Sequence, residues 1–200
     1  HVATGDSEGE RMNGPDIKCT LLSSIEFLET LRIPYALMGA LTLGFYDQAR
    51  ATHDVDLLID AGPDELQRVR VQAAQHGFSI DEVWLQHNPG LRDTHVRLIH
   101  SSIPIDVMLP RDSQDRSATA RRRAFPLGNR TIWVVTAEDF ILQKLKAGRP
   151  RDFDDTIPFF TQQRDQLDHP YLNQWALRLG VREELDYLWS QSEQSDGLHP

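Results

Sequence analysis

Two aspartates that lie two positions apart, Asp54 and Asp56, are the residues best suited to chemistry in this sequence. Val55 and Leu57 alternate with them, and the apolar, branched composition of this stretch is typical of a strand. Because successive side chains of a strand point to opposite faces, we expect both carboxylates on one face and the apolar side chains on the other. Adjacent carboxylates repel each other unless a cation lies between them, and oxygen ligands on a rigid strand suit a hard divalent ion such as Mg²⁺.

A third carboxylate, Asp106, lies between Ile105 and Val107 in another apolar segment. A carboxylate on a buried strand is costly unless it is paired or bound to a cation. Two-metal sites for phosphoryl transfer hold their ions about 3.5–4 Å apart and need several anionic ligands. We therefore predict that Asp54, Asp56 and Asp106 bind Mg²⁺ or Mn²⁺. Asp106 can also act as a general base on an acceptor hydroxyl.

Gly39 and Ala40 lie where a predicted strand gives way to a predicted short helix. A glycine at such a junction lets the backbone approach a ligand closely. The start of the helix then offers unpaired N–H groups to a phosphate. These two residues are thus the predicted phosphate-binding segment, and Arg50 is expected either to contact phosphate or to brace the loop before Asp54.

The elements that must position these residues alternate irregularly between strand and helix. The predicted strands are 35–38, 54–59, 78–84, 94–99, 104–109, 125–127 and 131–135. The predicted helices are 16–31, 40–47, a segment from Gly62-Pro63 to Gly77, 116–124, 137–147, 151–163, 169–179 and 181–191. This order predicts an α+β fold, in which a mixed sheet with flanking helices is followed by a C-terminal helical part.

The length of 200 residues fits one domain with a helical appendage. Residues 1–11 have no periodicity and precede Met12, so we expect a tag remnant there and a native start at Met12. The catalytic core is then predicted at 12–136, the helical part at 137–192 and a disordered tail at 193–200.

Composition excludes several classes of protein. The net charge of −9 argues against broad, non-specific binding to nucleic acid. No apolar run approaches the roughly 20 residues that span a membrane, and no stretch resembles a secretory signal, so the expected location is the cytoplasm. The single cysteine, Cys19, rules out an internal disulfide and disfavours a cysteine zinc site. The basic run 121–123 predicts either a solvated face or a local groove for RNA or a partner.

The ordered set of motifs resembles a known family. Gly39-Ala40, Arg50-x-Thr52-x-Asp54-x-Asp56 and Ile105-Asp106-Val107 resemble the DNA polymerase beta-like nucleotidyltransferase superfamily, and within it the small prokaryotic group related to abortive-infection toxin nucleotidyltransferases. The stretch 138–152 is similar to the lysine-bearing helix of that group. The resemblance implies transfer of a nucleoside monophosphate from an NTP such as ATP to an acceptor, with release of pyrophosphate. It assigns nucleotide binding to Gly39, Ala40, Arg50, Thr52 and Lys144.

The acceptor stays open among RNA, a protein hydroxyl and a small-molecule hydroxyl. In the family, the glycine is usually followed by Ser or Gly, and here Ala40 lacks the hydroxyl that would contact phosphate; Thr42 is a nearby substitute. The alternative function is therefore a non-catalytic regulator of a toxin-antitoxin type system that binds nucleotide or a partner protein. A sugar-nucleotide enzyme with a DxD motif is a third candidate, although it would call for a longer chain.

The charged residues around Lys144 have less specific interpretations. Lys144 either reaches the triphosphate or is a solvated lysine. Arg149 and Asp152 are expected to form a structural ion pair, and Asp154 and Asp155 to stabilise the start of the next helix. The histidines have no metal-ligand spacing and are interpreted as structural: His53, His95 and His100.

Overall fold

The centre of the molecule is a sheet of seven short strands. The computed structural model describes residues 16–48 and 50–196. Its strands are β1 (Tyr35–Met38), β2 (Val55–Ile59), β3 (Ser79–Ile80), β4 (His95–His100), β5 (Ile103–Met108), β6 (Arg123–Leu127) and β7 (Arg130–Val134). Their order across the sheet is β3-β4-β5-β2-β1-β7-β6.

Eight α-helices accompany the sheet in the described ranges. They are α1 (Ile17–Thr30), α2 (Pro63–Gln72), α3 (Glu82–His87), α4 (Ser113–Arg121), α5 (Ala137–Ala147), α6 (Pro150–Gln163), α7 (His169–Leu179) and α8 (Arg182–Asp196). The segment Ala40–Tyr46, which was predicted as a short helix, is a 3-10 helix. Helix α5 packs on α6 and α7, and both of these pack on α8.

The sheet is mixed, as the sequence predicts. Strands β2 and β5 are parallel neighbours, as are β1 and β7, whereas the other adjacent pairs are antiparallel. The parallel pairing of β2 with β5 matters most for function, because it places Asp56 directly beside Asp106. Strands β6 and β7 form a hairpin around Gly128-Asn129. The α+β fold class is confirmed.

Alternation along β2 separates the core from the site. Val55, Leu57 and Ile59 are fully buried, and they belong to one continuous core with Ile25 of α1. Burying each such side chain stabilises the fold by about 1.5–3 kcal/mol. Asp56 points to the other face, as the strand period requires. The same alternation therefore anchors β2 and directs its carboxylate away from the apolar layer.

Three sequence predictions of secondary structure were wrong. The strand at 78–84 is reduced to β3, because the Asp81 side chain accepts from the Trp84 N–H at 2.9 Å and caps α3 instead. The helix predicted at 116–124 starts at Ser113, because Asp112 caps it through the Asp115 N–H, and Arg123 already belongs to β6. The tail predicted as disordered from 193 is helical to Asp196.

The predictions for the chain ends lie largely outside the described residues. These are the tag remnant at 1–11, the start at Met12 and the last four residues of the tail. Among the helices from α1 to α8, none combines the length and the apolar character that crossing a bilayer demands.

Candidate active site

The three predicted metal ligands meet on one side of the sheet. Asp54 precedes β2 by one residue, and Asp56 lies within β2 opposite Asp106 of β5. One carboxylate oxygen from each residue lies within 4.8 Å of the other two. Oxygens at this spacing are suited to a shared divalent cation, because each needs only a small rotation to reach a common ion.

Gly39 makes room for the central carboxylate. Its φ is +70°, and a Cβ at this position would lie 1.9 Å from Asp56 Oδ2. Any other residue would therefore be strained and would also displace the Asp56 side chain. Ala40 starts the 3-10 helix and lies in the same cleft. Thr42 does not replace the missing hydroxyl, because it is fully buried and donates to the Leu37 carbonyl at 3.4 Å.

Burial and the neighbouring carboxylates make Asp56 a weaker acid than an ordinary aspartate. Burial, and then the neighbouring charges of Asp54 and Asp106, raise the pKa of Asp56 to about 7. Like charges that share a site disfavour ionisation of one another. The protein thus brings together anionic groups that a bound cation would stabilise, which is the donor chemistry expected of a metal site.

Asp106 is held by two partners that sequence reasoning did not assign. Arg97 donates two bonds to it, from Nε to Oδ1 at 2.8 Å and from Nη2 to Oδ2 at 2.6 Å, and His95 Nε2 lies 2.7 Å from Oδ1. Burial opposes ionisation of Asp106, but the bonds from His95 and Arg97 prevail and lower its pKa. His95 was interpreted as structural and Arg97 was not singled out. Their alternation with buried Val96 was the available signal, because it places both on one face of β4.

Thr52 and Arg50 lie in the loop before β2, and both have protein partners. The Thr52 hydroxyl donates to Asp54 Oδ1 at 2.6 Å, so it orients the carboxylate that precedes the strand. Arg50 is half-exposed and forms an ion pair with Asp155 of α6. Of the two roles predicted for Arg50, the structure displays the bracing of the loop.

Lys144 faces the cleft from α5, but two carboxylates already contact it. Its Nζ lies 3.0 Å from Asp152 Oδ1 and 3.5 Å from Asp155 Oδ2. Arg149 binds Asp152 at 2.7 Å, which confirms that predicted ion pair. Burial alone would raise the pKa of Asp152, but the bonds from Arg149 and Lys144 outweigh this effect and lower the pKa. Asp155 was expected only to stabilise a helix start; it lies inside α6 and joins Lys144 to Arg50.

The first two arginines of the basic run 121–123 contact neighbouring elements. Arg121 stacks on the Tyr171 ring at 3.6 Å and lies near the buried carboxylates of Glu138 and Asp139. Arg122 lies over the Trp133 ring at 5.1 Å. Arg121 and Arg122 are thus partly exposed to solvent, and they also join α4 to its neighbours.

All the predicted site residues open onto one cleft of about 690 Å³, a volume in the range of small-molecule and cofactor sites. They are Gly39, Ala40, Arg50, Thr52, Asp54, Asp56, Asp106 and Lys144. The cleft has two chemically distinct parts. We call Asp54, Asp56 and Asp106 its sheet side, and Lys144, Asp152 and Asp155 its helix side.

Comparisons with known proteins identify the fold. No protein-family model matches the chain, and no curated protein matches it. Solved structures do. A protein from Thermotoga maritima assigned as a nucleotidyltransferase has a TM-score of 0.51 at 13% identity, over 74% of this chain and 94% of its own.

Two structures of the antibiotic-resistance factor ANT(2'')-Ia are also similar. Its solution structure gives a TM-score of 0.56 at 11% identity, over 92% of this chain and 98% of that one. Its crystal structure in complex with adenylyl-2''-tobramycin gives 0.54 at 11%, over 84% and 99%. At these identities the likeness concerns the fold and does not extend to the narrower abortive-infection group. The chain has a nucleotidyltransferase fold, with an acidic triad in its cleft.

Proposed function

We propose that this protein is a metal-dependent nucleotidyltransferase, which moves a nucleoside monophosphate from an NTP to an acceptor hydroxyl. The observation that carries the proposal is the sheet side of the cleft, where three carboxylate oxygens lie within 4.8 Å of one another and the pKa of Asp56 is raised to about 7. Asp54, Asp56 and Asp106 would hold Mg²⁺ or Mn²⁺. Such an ion would neutralise the phosphate charge that develops during transfer.

The protein's own groups then position the reactants. The acceptor oxygen attacks the α-phosphorus in line while the bond to the bridging oxygen of pyrophosphate breaks, and pyrophosphate leaves with that electron pair. Gly39 and Ala40 offer close backbone approach beside Asp56, and Arg50 and Lys144 supply positive charge for the phosphates. The hydroxyl proton of the acceptor is released to water in the open cleft. Asp106 suits the role of metal ligand better than that of base, because Arg97 and His95 lower its pKa.

The acceptor that we favour is a small-molecule hydroxyl. ANT(2'')-Ia, whose structure contains adenylyl-2''-tobramycin, has this fold and an acceptor of that class. Of the basic residues at 121–123, Arg121 and Arg122 are partly buried and lie over the rings of Tyr171 and Trp133, so they are less available to RNA. An aminoglycoside hydroxyl is therefore the first acceptor to test, with RNA and protein as the comparison.

The test is a transfer assay with each of the four α-labelled NTPs, Mg²⁺ or Mn²⁺, and aminoglycosides, total RNA or a protein extract as acceptors. We expect pyrophosphate release and a labelled product, both lost in Asp54→Ala without loss of folding. Binding of NTP without transfer to any acceptor would favour the regulator instead. If neither metal nor NTP changes the thermal stability of the protein, the proposal fails altogether.

A further inference from the structure

Gln143 is a buried side chain with unused hydrogen-bonding capacity. It lies on α5 and is only 9% exposed. Within residues 16–48 and 50–196, neither its Nε2 nor its Oε1 has a hydrogen-bond partner. Among the described glutamines it is the one that has both amide atoms buried and unpaired. Such groups are rare in folded proteins, because burying an unpaired amide costs about 1–3 kcal/mol.

The position of Gln143 in the cleft indicates a role in ligand binding for its unpaired amide. Gln143 lines the cleft that holds the acidic triad, and it directly precedes Lys144 on α5. Phe140, one helical turn earlier, also lines the cleft, as do Met38 and Met108. A side chain that lines a ligand-sized cavity and whose buried amide is unpaired in the free protein is suited to pair with a ligand that enters the cavity.

The chemistry of the amide limits which group of a ligand can pair with both of its polar atoms. A carboxamide presents the N–H donors of its NH2 group and a carbonyl acceptor in a single plane. A phosphate would use only the donor and leave Oε1 unpaired. A nucleobase edge offers a donor next to an acceptor in one plane, so it can pair with both amide atoms. Asn and Gln side chains pair with adenine in this way. The apolar lining from Phe140, Met38 and Met108 suits the faces of a flat base.

We propose that Gln143 recognises the nucleobase of the NTP and so determines nucleotide preference, an assignment that rests on the proposed nucleotidyltransferase function. Lys144 and the sheet side bind the phosphates, and Gln143, which precedes Lys144 on α5, binds the base. The cleft thus separates the part of the nucleotide that every NTP shares from the part that distinguishes one NTP from another.

The test replaces Gln143 by methionine, which has a similar length and no amide. Dissociation constants for the four NTPs and for inorganic tripolyphosphate are measured with Mg²⁺ in wild type and in Gln143→Met. We expect about tenfold weaker binding of the preferred NTP, because a well-placed bidentate contact discriminates by about 1–3 kcal/mol. Tripolyphosphate has no base, so its affinity should not change. The melting temperature of the nucleotide-free variant should stay the same or rise, because an unpaired buried amide has been removed.

Gln114 provides the matched control. It is fully buried, and both amide atoms are paired, Nε2 with Asp139 Oδ1 at 3.1 Å and Oε1 with Lys146 Nζ at 3.1 Å. Gln114→Met should lower the melting temperature and leave NTP affinity unchanged. If Gln143→Met does not fold, Gln143→Leu tests the same loss with a different shape.

The outcomes separate this inference from the proposed function. If wild type binds NTPs and Gln143→Met binds each of the four as tightly as wild type does, Gln143 does not read the base. Equal weakening for tripolyphosphate and NTPs would also overturn the inference, since it would place the amide on the phosphates. If wild type binds neither NTP nor tripolyphosphate, the nucleotidyltransferase proposal itself fails.

Discussion

The two sides of the cleft solve the problem of buried charge in opposite ways. On the sheet side, Asp54 and Asp56 crowd together with Asp106, and the pKa of Asp56 is raised to about 7 by burial and by its neighbours. On the helix side, Asp152 contacts both Lys144 and Arg149, and these bonds lower its pKa in spite of burial. The sheet side therefore keeps an excess of negative charge, although Arg97 pairs with Asp106, whereas the helix side has its carboxylates and cations matched.

This difference indicates what each side needs from a ligand. A divalent cation relieves repulsion on the sheet side, so its binding should stabilise the protein. A phosphate that approaches Lys144 must compete with Asp152 and Asp155, which already contact that lysine. We therefore expect metal binding to be favoured by the free protein, and triphosphate binding to require rearrangement of existing ion pairs.

Removing the central carboxylate should have the largest effect. Asp56→Asn deletes one metal ligand and one of the crowded charges, so nucleotidyl transfer should fall by on the order of 10³-fold. The same change should raise the stability of the metal-free protein at pH 8 by about 1–2 kcal/mol, because the remaining carboxylates lose a repulsive neighbour. Transfer assays and urea unfolding measure the two effects.

Asp60→Asn is the control, since Asp60 is an exposed carboxylate just beyond the other end of β2. It should change neither transfer nor stability. A metal-free Asp56→Asn protein that is less stable than wild type at pH 8 would refute the idea that like charge dominates the sheet side.

The pH dependence of stability should reveal the same crowding. The folded protein keeps the Asp56 proton up to about pH 7, whereas the unfolded chain releases it near the ordinary value of 3.8. The folded state thus binds more protons between these values, and the free energy of unfolding should fall as pH rises from 5 to 7.5 and then level off. Excess Mg²⁺ should reduce this fall, since the ion favours the charged carboxylate.

Comparison with Asp56→Asn isolates the contribution of Asp56. Burial also raises the pKa of Asp139, but that residue is present in both proteins and its effect cancels. Unfolding free energies of both proteins at several pH values, with and without Mg²⁺, provide the measurement. Parallel curves for the two metal-free proteins would show that Asp56 does not hold its proton as expected.

Removing one carboxylate charge from the helix side should have a smaller effect, which concerns the affinity for NTP. Asp155→Asn removes the negative charge that contacts Arg50 and Lys144. Both cations then become more available to phosphate, so NTP affinity should rise about three- to fivefold, in line with the modest energy of a partly exposed ion pair. Asp154→Asn, at the exposed neighbouring position, should leave the affinity unchanged. Weaker binding in Asp155→Asn would mean that the ion pairs preorganise the cations for phosphate.

The sheet side was predictable from sequence because strand geometry is regular. A period of two places Asp54 and Asp56 on one face, and an isolated Asp106 in an apolar strand already indicates a buried partner or cation. The pairing of β2 with β5, which brings these residues together, depends on the whole sheet. No local pattern specifies it.

The helix side was harder to predict because its contacts bridge separate elements. Arg50 and Asp155 are 105 residues apart in sequence, and their contact depends on how α6 packs against the loop before β2. Side-chain pairs of this kind leave no periodic trace. Gln143 was missed for a related reason, because only the packed structure shows that its amide has no partner within the described residues.

A substitution at Ala40 should have the smallest effect, and it tests how the cleft binds phosphate beside the sheet side. It lies in the cleft next to Gly39, where the superfamily that the sequence resembles usually has Ser or Gly, and Thr42 is turned inward and does not compensate. Ala40→Ser adds a hydroxyl and should lower the KM for NTP about threefold, the worth of one modest hydrogen bond. Because the change removes no charge, kcat and the stability of the metal-free protein should stay the same. An unchanged KM in Ala40→Ser, measured beside wild type under identical metal conditions, would mean that backbone N–H groups alone hold the phosphates at this end of the cleft.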